Sequence, residues 1–290
     1  MYTANNRERT PSALKPTTLH KRLSKANLQL IRSLEHKKYR LRHGLFVVEG
    51  DKIVREILDS SLTVEWLFAK PAWLTRLPAR LSARLPARAT HVIEIDDKEL
   101  SQISFQKTPH MSLALVRTPE HSLDITEVAS GLSLYLNGVQ DPGNLGTIIR
   151  LADWFGIRHV LYDEDCADPF SPKAVQSSMG ALSRVKTFPT DASLFRQLKE
   201  YCPDFPVYGT FLTGENIYHA PLPSNAVIVM GNESKGISSE LAQQVSQRLL
   251  IPSYSPTFPG TLTSESLNVA TAAAIVCAEF RRRHSNRGGL

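Results

Sequence analysis

Hydrophobic and polar positions alternate along this chain in two recurring rhythms. From Leu19 the apolar residues Leu23, Ala26, Leu30, Ile31 and Leu34 recur three and four apart, with lysine and arginine on the other faces, which predicts a helix. LFVVEG (Leu45–Gly50), TVEWLFAK (Thr63–Lys70), HVIEI (His91–Ile95) and SLALVR (Ser112–Arg117) are short apolar runs that predict strands, and DKIVREIL (Asp51–Leu58) predicts a helix between the first two. This alternation implies a small α/β unit with a mainly parallel sheet over residues 19–118. RTPEHSLDITEVASG (Arg117–Gly131) is polar and turn-rich, and 119–130 is expected to be a linker. Beyond it LSLYLNGV, RHVLYD, FPVYGTF, NAVIVMG and QRLLIP read as strands. Helical patterns fall among them near 144–155, 171–180, 191–201, 238–247 and 265–283, so 131–290 is expected to be a second α/β domain. Residues 1–18 lack periodicity and are expected to be a disordered tail.

Composition narrows the class. The chain has 290 residues, 42% hydrophobic and 21% charged, as soluble globular proteins do. Its apolar runs fall far short of the roughly 18–20 residues that span a bilayer, and the N-terminus lacks a signal-peptide core, so a cytoplasmic protein without a membrane partner is expected. Cys166, Cys202 and Cys277 are widely spaced and predict neither disulfides nor a zinc site. Cys277 lies in an apolar run and reads as a small core residue.

Charge adds a partner. Residues 1–45 hold eleven Lys/Arg and two Glu, a net +9, so with +6 overall the other 245 residues sum to −3. A basic end on a near-neutral body points to a polyanion, nucleic acid above all, or else to a solubilising tail. Arg76, Arg80, Arg84 and Arg88 lie four apart and would form one stripe on a helix, but Pro78 and Pro86 argue against a continuous one. A solvated surface and an RNA-facing stripe are both open readings there.

VQDPGNLGTIIRLADWFG (Val139–Gly156) follows a strand, carries glycines three apart, and enters a helix, as a dinucleotide-binding loop does. The chemistry differs. Asp141 stands where that loop needs its first glycine and sets a negative charge where a pyrophosphate would sit, and Pro142 removes an N–H donor. Asp163 does end the next strand at the distance of a ribose-binding acid, yet no nucleoside-triphosphate loop is present either. The more informative residues are Asn144, placed to cap the helix, and Arg150, near the strand's C-terminal edge, where α/β sites collect. Downstream, VIVMGNESKGIS (Val227–Ser238) runs from a strand into a loop bearing Glu233, with Ser238 placed to cap the next helix. IPSYSPTFPGTLTSESLNVATAAAIVCAEFRRR (Ile251–Arg283) leads through a polar loop to an alanine-rich helix with Ser266 and Asn268 at its start. Taken alone, Glu233, Ser266 and Asn268 could be turn or capping groups.

Together, in this order, the three stretches resemble the signature motifs of the SpoU (TrmH-like) family of RNA 2′-O-ribose methyltransferases, in the SPOUT or α/β-knot superfamily. The first is matched by Asn137, Asp141, Pro142, Asn144, Gly146 and Arg150. The second is matched by Gly231, Asn232, Glu233, Lys235 and Gly236, and the third by Ile251, Pro252, Ser266, Leu267, Asn268 and Val269. AVQSSMGALSRV (Ala174–Val185) resembles the family's linking segment, and residues 27–116 resemble the L30e-like substrate-binding domain that often precedes it.

The resemblance implies a trefoil-knotted domain, a homodimer, and S-adenosyl-L-methionine bound at Gly231, Ile251 and Leu267. It implies Arg150 as the residue that activates the ribose hydroxyl, with Asn144, Glu233, Ser266 and Asn268 shaping the pocket, and it needs no metal. The loop 253–265 is longer than the family's usual one and is expected to border the cofactor. The expected substrate is ribosomal RNA, with transfer RNA as the alternative. The rival from another class is a non-catalytic RNA-binding factor of the same fold.

Overall fold

The computed structural model describes residues 18–20, 22–255 and 266–284. The tail expected over 1–18 lies almost wholly outside them, as does most of the loop 253–265. Contacts divide the chain into two compact units, residues 1–32 with 49–117, and residues 33–48 with 118–290.

The smaller sheet has the order β1-β4-β3-β5-β2. The chain reaches it through β1 (Thr18–His20), α1 (Lys25–Ser33), α2 (Lys37–His43), β2 (Leu45–Glu49), α3 (Asp51–Asp59), β3 (Val64–Ala69), α4 (Pro71–Leu74), α5 (Ala79–Arg88), β4 (Ala89–Glu94), α6 (Asp97–Ile103) and β5 (Ser112–Arg117). The sheet is mixed: β4 runs parallel to β1 and β3, but β5 runs antiparallel to β3. The helix expected from Leu19 begins only at Lys25, because Leu19 pairs with Val92 in the sheet.

Arg80, Arg84 and Arg88 lie on one helix, α5, but Arg76 precedes it: Pro78 stands at the N-cap, so no helix runs through it, and only Pro86 is inside, two residues from the end. Arg80 and Arg84 are exposed yet find partners within their own unit. Arg80 and Arg84 reach Asp59 at 2.6 and 3.9 Å, and Arg88 donates to the carbonyls of Leu58, Ser60 and Leu62. Cations thereby close the C-terminus of α3, whose last carbonyls lack helical partners.

The larger unit continues through α7 (Ile125–Ala129), β6 (Leu132–Leu136), α8 (Pro142–Trp154), β7 (His159–Tyr162), α9 (Pro172–Ser178), β8 (Lys186–Pro189), α10 (Ser193–Tyr201), β9 (Val207–Asn216), β10 (Ala226–Met230), α11 (Ser239–Ala242), β11 (Gln247–Leu250) and α12 (Val269–Arg282). Its sheet order is β11-β9-β10-β6-β7-β8, and every pairing is parallel. LSLYL and AVIVM are buried at every position, as central strands covered on both faces must be. Because the strands are parallel, the segments after β6, β7, β10 and β11 all leave one edge.

Three expectations change here. The expected linker contains α7, capped by Asp124 and buried through Val128. The helical pattern over 238–247 shrinks to α11, because Ser246 exchanges hydrogen bonds with Val207 and leads into β11 instead. Short β8 escaped notice because only Phe188 in it is buried.

One basic residue of the N-terminal portion is internal. Arg40, 5% exposed, grips Asp168 through Nε and Nη2 at 2.9 and 2.6 Å and donates through Nη1 to the carbonyls of Leu34 and Glu35. Removing one partner of such a pair strands a buried charge. Arg40→Ala is expected to cost about 3 kcal/mol, read as a lowered midpoint in urea unfolding with an unchanged slope.

Candidate functional site

The first signature stretch is built around an N-cap. Asp141 Oδ1 accepts from Asn144 N at 2.9 Å, and Pro142 occupies the first helical position of α8. The expected capping role of Asn144 therefore belongs to Asp141, and Asn144 sits one turn in with its side chain released for other work. Lys173 pairs with Asp141 Oδ2 at 2.6 Å. That ion pair, with the capped amide, holds the Asp141 carboxyl below the usual range.

The two glycines lie inside α8 and do not make the turn into it. A Cβ on Gly146 would meet Ala174 O at 2.3 Å, so α9 packs onto α8 backbone to backbone. The left-handed residue of the β6–α8 turn is Gly138, at φ 66°.

Three side chains from the three stretches meet. Asn144 Nδ2 donates to Glu233 Oε1 at 2.7 Å, and Asn268 Nδ2 donates to Asn144 Oδ1 at 3.0 Å. Asn268 Oδ1 in turn accepts from Ala270 N and Thr271 N at 3.0 and 3.2 Å, capping α12. The direction of each bond is forced. A carboxylate only accepts and helix-terminal N–H groups only donate, so both asparagine amides have a single orientation. Asn268 thus caps α12 with its side-chain oxygen while its nitrogen reaches Asn144.

Glu233 is carried by a loop that folds back on itself. Asn232 and Gly236 exchange backbone hydrogen bonds at 3.0 and 2.9 Å, and Asn232 Oδ1 accepts from Ser234 N and Lys235 N. A Cβ on Gly231 would lie 2.4 Å from the Gly236 carbonyl carbon, so only glycine permits this closure. Ser238 caps α11, as its position predicts.

The other expected residues are not in this chain of bonds. Arg150 lies six residues beyond Asn144, about 9 Å along the axis and on a different side of α8, exposed in a stripe with Thr147 and Trp154. Ser266 is exposed two residues before the Asn268 cap. Gly231 follows β10 and Ile251 follows β11, which β9 separates, so they leave the same sheet edge about 10 Å apart at two strand spacings. Leu267 is apolar and 47% exposed beside Asn268. Burial pushes the Cys166 and Cys277 thiols up to about 12.

The sequence offers Asp163 only as a ribose ligand and gives no sign of Lys173; no signal ties a strand-end aspartate to a turn 25 residues earlier.

The amide–carboxylate cluster lies at the C-terminal edge of an all-parallel sheet, where the ligand sites of open α/β folds collect. Comparisons with known proteins give the class. The SpoU rRNA Methylase family is matched over residues 131–278, and the MRM3-like substrate binding domain over 25–114. The 23S rRNA (guanosine(2553)-2′-O)-methyltransferase RlmP of Bacillus subtilis is 29% identical over 256 residues, 86% of this chain and 94% of that protein. A crystal structure of a putative TrmH-family RNA methyltransferase from Porphyromonas gingivalis is 43% identical, with TM-score 0.77, covering 90% of this chain and 99% of its own. An AdoMet-bound rRNA methyltransferase from Sinorhizobium meliloti is 26% identical, with TM-score 0.77, covering 92% and 98%. This chain belongs to the SpoU rRNA Methylase family.

The two roles of Asn268 separate by substitution. Asn268→Ala removes the cap and is expected to cost about 1 kcal/mol in urea unfolding. Asn268→Asp keeps the cap, and its stability should stay within about 0.5 kcal/mol of wild type, but it sets a carboxylate against Asn144 Oδ1. The Asn144 side-chain amide resonances should then shift while the unfolding midpoint holds.

Proposed function

We propose that ribosomal RNA is the substrate of this SpoU-family enzyme, an S-adenosylmethionine-dependent RNA ribose 2′-O-methyltransferase. The carrying observation is the Glu233–Asn144–Asn268 chain, which unites all three signature stretches at one point. The rRNA methyltransferase relatives support the choice of RNA, and the match to a substrate-binding domain over residues 25–114 supports an RNA-gripping first unit. In the second unit Lys37, Lys38 and Arg42 are exposed on α2 and suit phosphate contacts. Three free cysteines and an RNA substrate support a cytoplasmic setting.

S-adenosylmethionine supplies a methyl group made electrophilic by its sulfonium. Gly231, Ile251 and Leu267 would hold it. They fit: Leu267 offers exposed apolar surface for a purine face, Gly231 offers backbone without a side chain, and none of the three carries a charge against a sulfonium. Arg150 is assigned to the ribose. Its part is to hold the phosphate with its forked donors and stabilise the developing 2′-alkoxide. Asn144, with both amide ends engaged, is a rigid wall of the pocket, and Glu233 and Asn268 keep it so. Ser266 stands at the pocket's margin as a further polar contact for the ribose. Orientation of the two reactants supplies much of the rate. Arg150→Ala is expected to lower methyl transfer by about a thousandfold while cofactor affinity, read by calorimetry, holds within about twofold. Wild-type transfer by that variant would sink the assignment.

A homodimer accounts for the face on which Arg150 sits. Trp154 is 83% exposed one turn beyond it, and α12, which packs on α8, shows Thr271, Ile275 and Ala278 to its outer side. An exposed tryptophan on one of two packed helices, with small and apolar residues on the other, suits a second copy of the chain. Trp154→Glu should shift sedimentation from dimer to monomer; an unchanged dimer places the interface elsewhere. Mapping 2′-O-methylation across ribosomal and transfer RNA, with and without the gene, tests the substrate: loss at one rRNA position is expected, and loss confined to tRNA overturns it.

A further inference from the structure

The turn between β6 and α8 is held by a residue outside the three signature stretches. Asp163, the first residue after β7, sends its carboxylate into that turn. Its Oδ2 accepts from Asn137 Nδ2 at 2.5 Å, and Oδ1 and Oδ2 accept from Gly138 N at 3.0 and 3.1 Å. Its own N–H donates to Leu136 O at 3.2 Å. Three consecutive residues, Leu136, Asn137 and Gly138, are clipped to one aspartate.

The polarity again has one solution. A carboxylate only accepts, so Asn137 must present its amide nitrogen to Asp163. Its Oδ1 is left for the Glu233 loop, and it accepts from Ser238 N at 2.7 Å. The other end of that loop is tied to the same turn: Asn232 Nδ2 donates to Gly138 O at 2.7 Å. Asn137 N also donates to Met230 O, where β10 ends, at 2.9 Å. Glu233 lies between these ties. Asp163 therefore orients the asparagine that fixes one end of the loop and steadies the glycine that fixes the other.

We propose that Asp163 is a positioning residue for methyl transfer, locking the Asn137–Gly138 turn in the one orientation that sets Glu233 against Asn144. Among the described residues it makes no hydrogen bond to Asn144, Glu233 or Asn268. It acts through Asn137.

A reciprocal exchange tests this. In Asp163→Asn alone, an amide faces an amide and one acceptor is lost. In Asn137→Asp alone, two carboxylates face each other. In the double variant the new amide at position 163 donates to the carboxylate at 137, and its carbonyl oxygen accepts from Gly138 N. The carboxylate at 137 still accepts from Ser238 N. Only the bond between the two side chains exchanges donor and acceptor; Gly138 N and Ser238 N donate as before.

The proposal rests on the methyltransferase reading, so two readouts are taken. The first is amide hydrogen exchange at Gly138 and Ser238, which needs no RNA. The second is kcat and KM, measured apart, for methylation of an in vitro large-subunit rRNA transcript. In Asp163→Asn, exchange at both amides should quicken by about tenfold. Its kcat should fall by about tenfold with KM for RNA within about twofold. The double variant should recover most of both losses, which a merely stabilising strand-end residue would not do. Wild-type exchange and kcat in Asp163→Asn overturn the proposal. So does a folded double variant no better than the single. Should Asp163→Asn not fold, rescue of folding with protected Gly138 and Ser238 amides in the double variant upholds the wiring, and failure to rescue overturns it. If wild-type enzyme leaves the transcript unmethylated, the substrate reading fails, and amide exchange still decides Asp163.

Discussion

A carboxylate can only accept hydrogen bonds, and the site is ordered by that restriction applied twice. Glu233 fixes which end of Asn144 faces it, Asn144 then fixes Asn268, and the chain ends on two helix-terminal N–H groups that can only donate. Asp163 does the same to Asn137, whose free oxygen takes Ser238 N. Each asparagine has two ends of opposite character, so it transmits orientation from one loop to the next. Side chains locked in this way need no reorganisation when a reactant arrives, which is the condition for electrostatic catalysis.

The scaffold supplies the precision that the side chains use. The wholly buried strands β6 and β10 lie next to each other in register, so the turn after Leu136 and the loop after Met230 leave the sheet side by side. Asp141 and Pro142 set where α8 begins, and Gly146 lets α9 press against its backbone. On this rigid helix Asn144 points into the bonded chain while Arg150 points outward. The separation suits the parts proposed for them: a wall must be held, and a phosphate ligand must reach out to solvent.

Much of the fold was legible because it follows from burial along the chain. Parallel strands covered on both faces read as unbroken apolar runs, and LSLYL and AVIVM announce themselves. The mixed direction of the small sheet was not legible, because strand direction is a property of pairing and leaves little mark on a single run. The helix through Pro86 was misjudged for a related reason. Its penalty is local, but the partners that Arg80, Arg84 and Arg88 find lie in and just after α3, earlier in the chain.

The residue types of the site were present in the order and spacing of a known family, and that order by itself determined the class of chemistry. What it left ambiguous was function against capping, and that ambiguity was physical. Asn, Asp, Ser and Glu stabilise helix ends by the same hydrogen bonds they use in pockets. Only the tertiary structure could show that Asp141 takes the cap, that Asn144 is thereby freed, and that Asn268 caps α12 while bonding Asn144. Asp163 and Asn137 are 26 residues apart in sequence and 2.5 Å apart in space. Sequence periodicity records which face of an element is buried, whereas the meeting of side chains from different strands is decided when the sheet places their ends together.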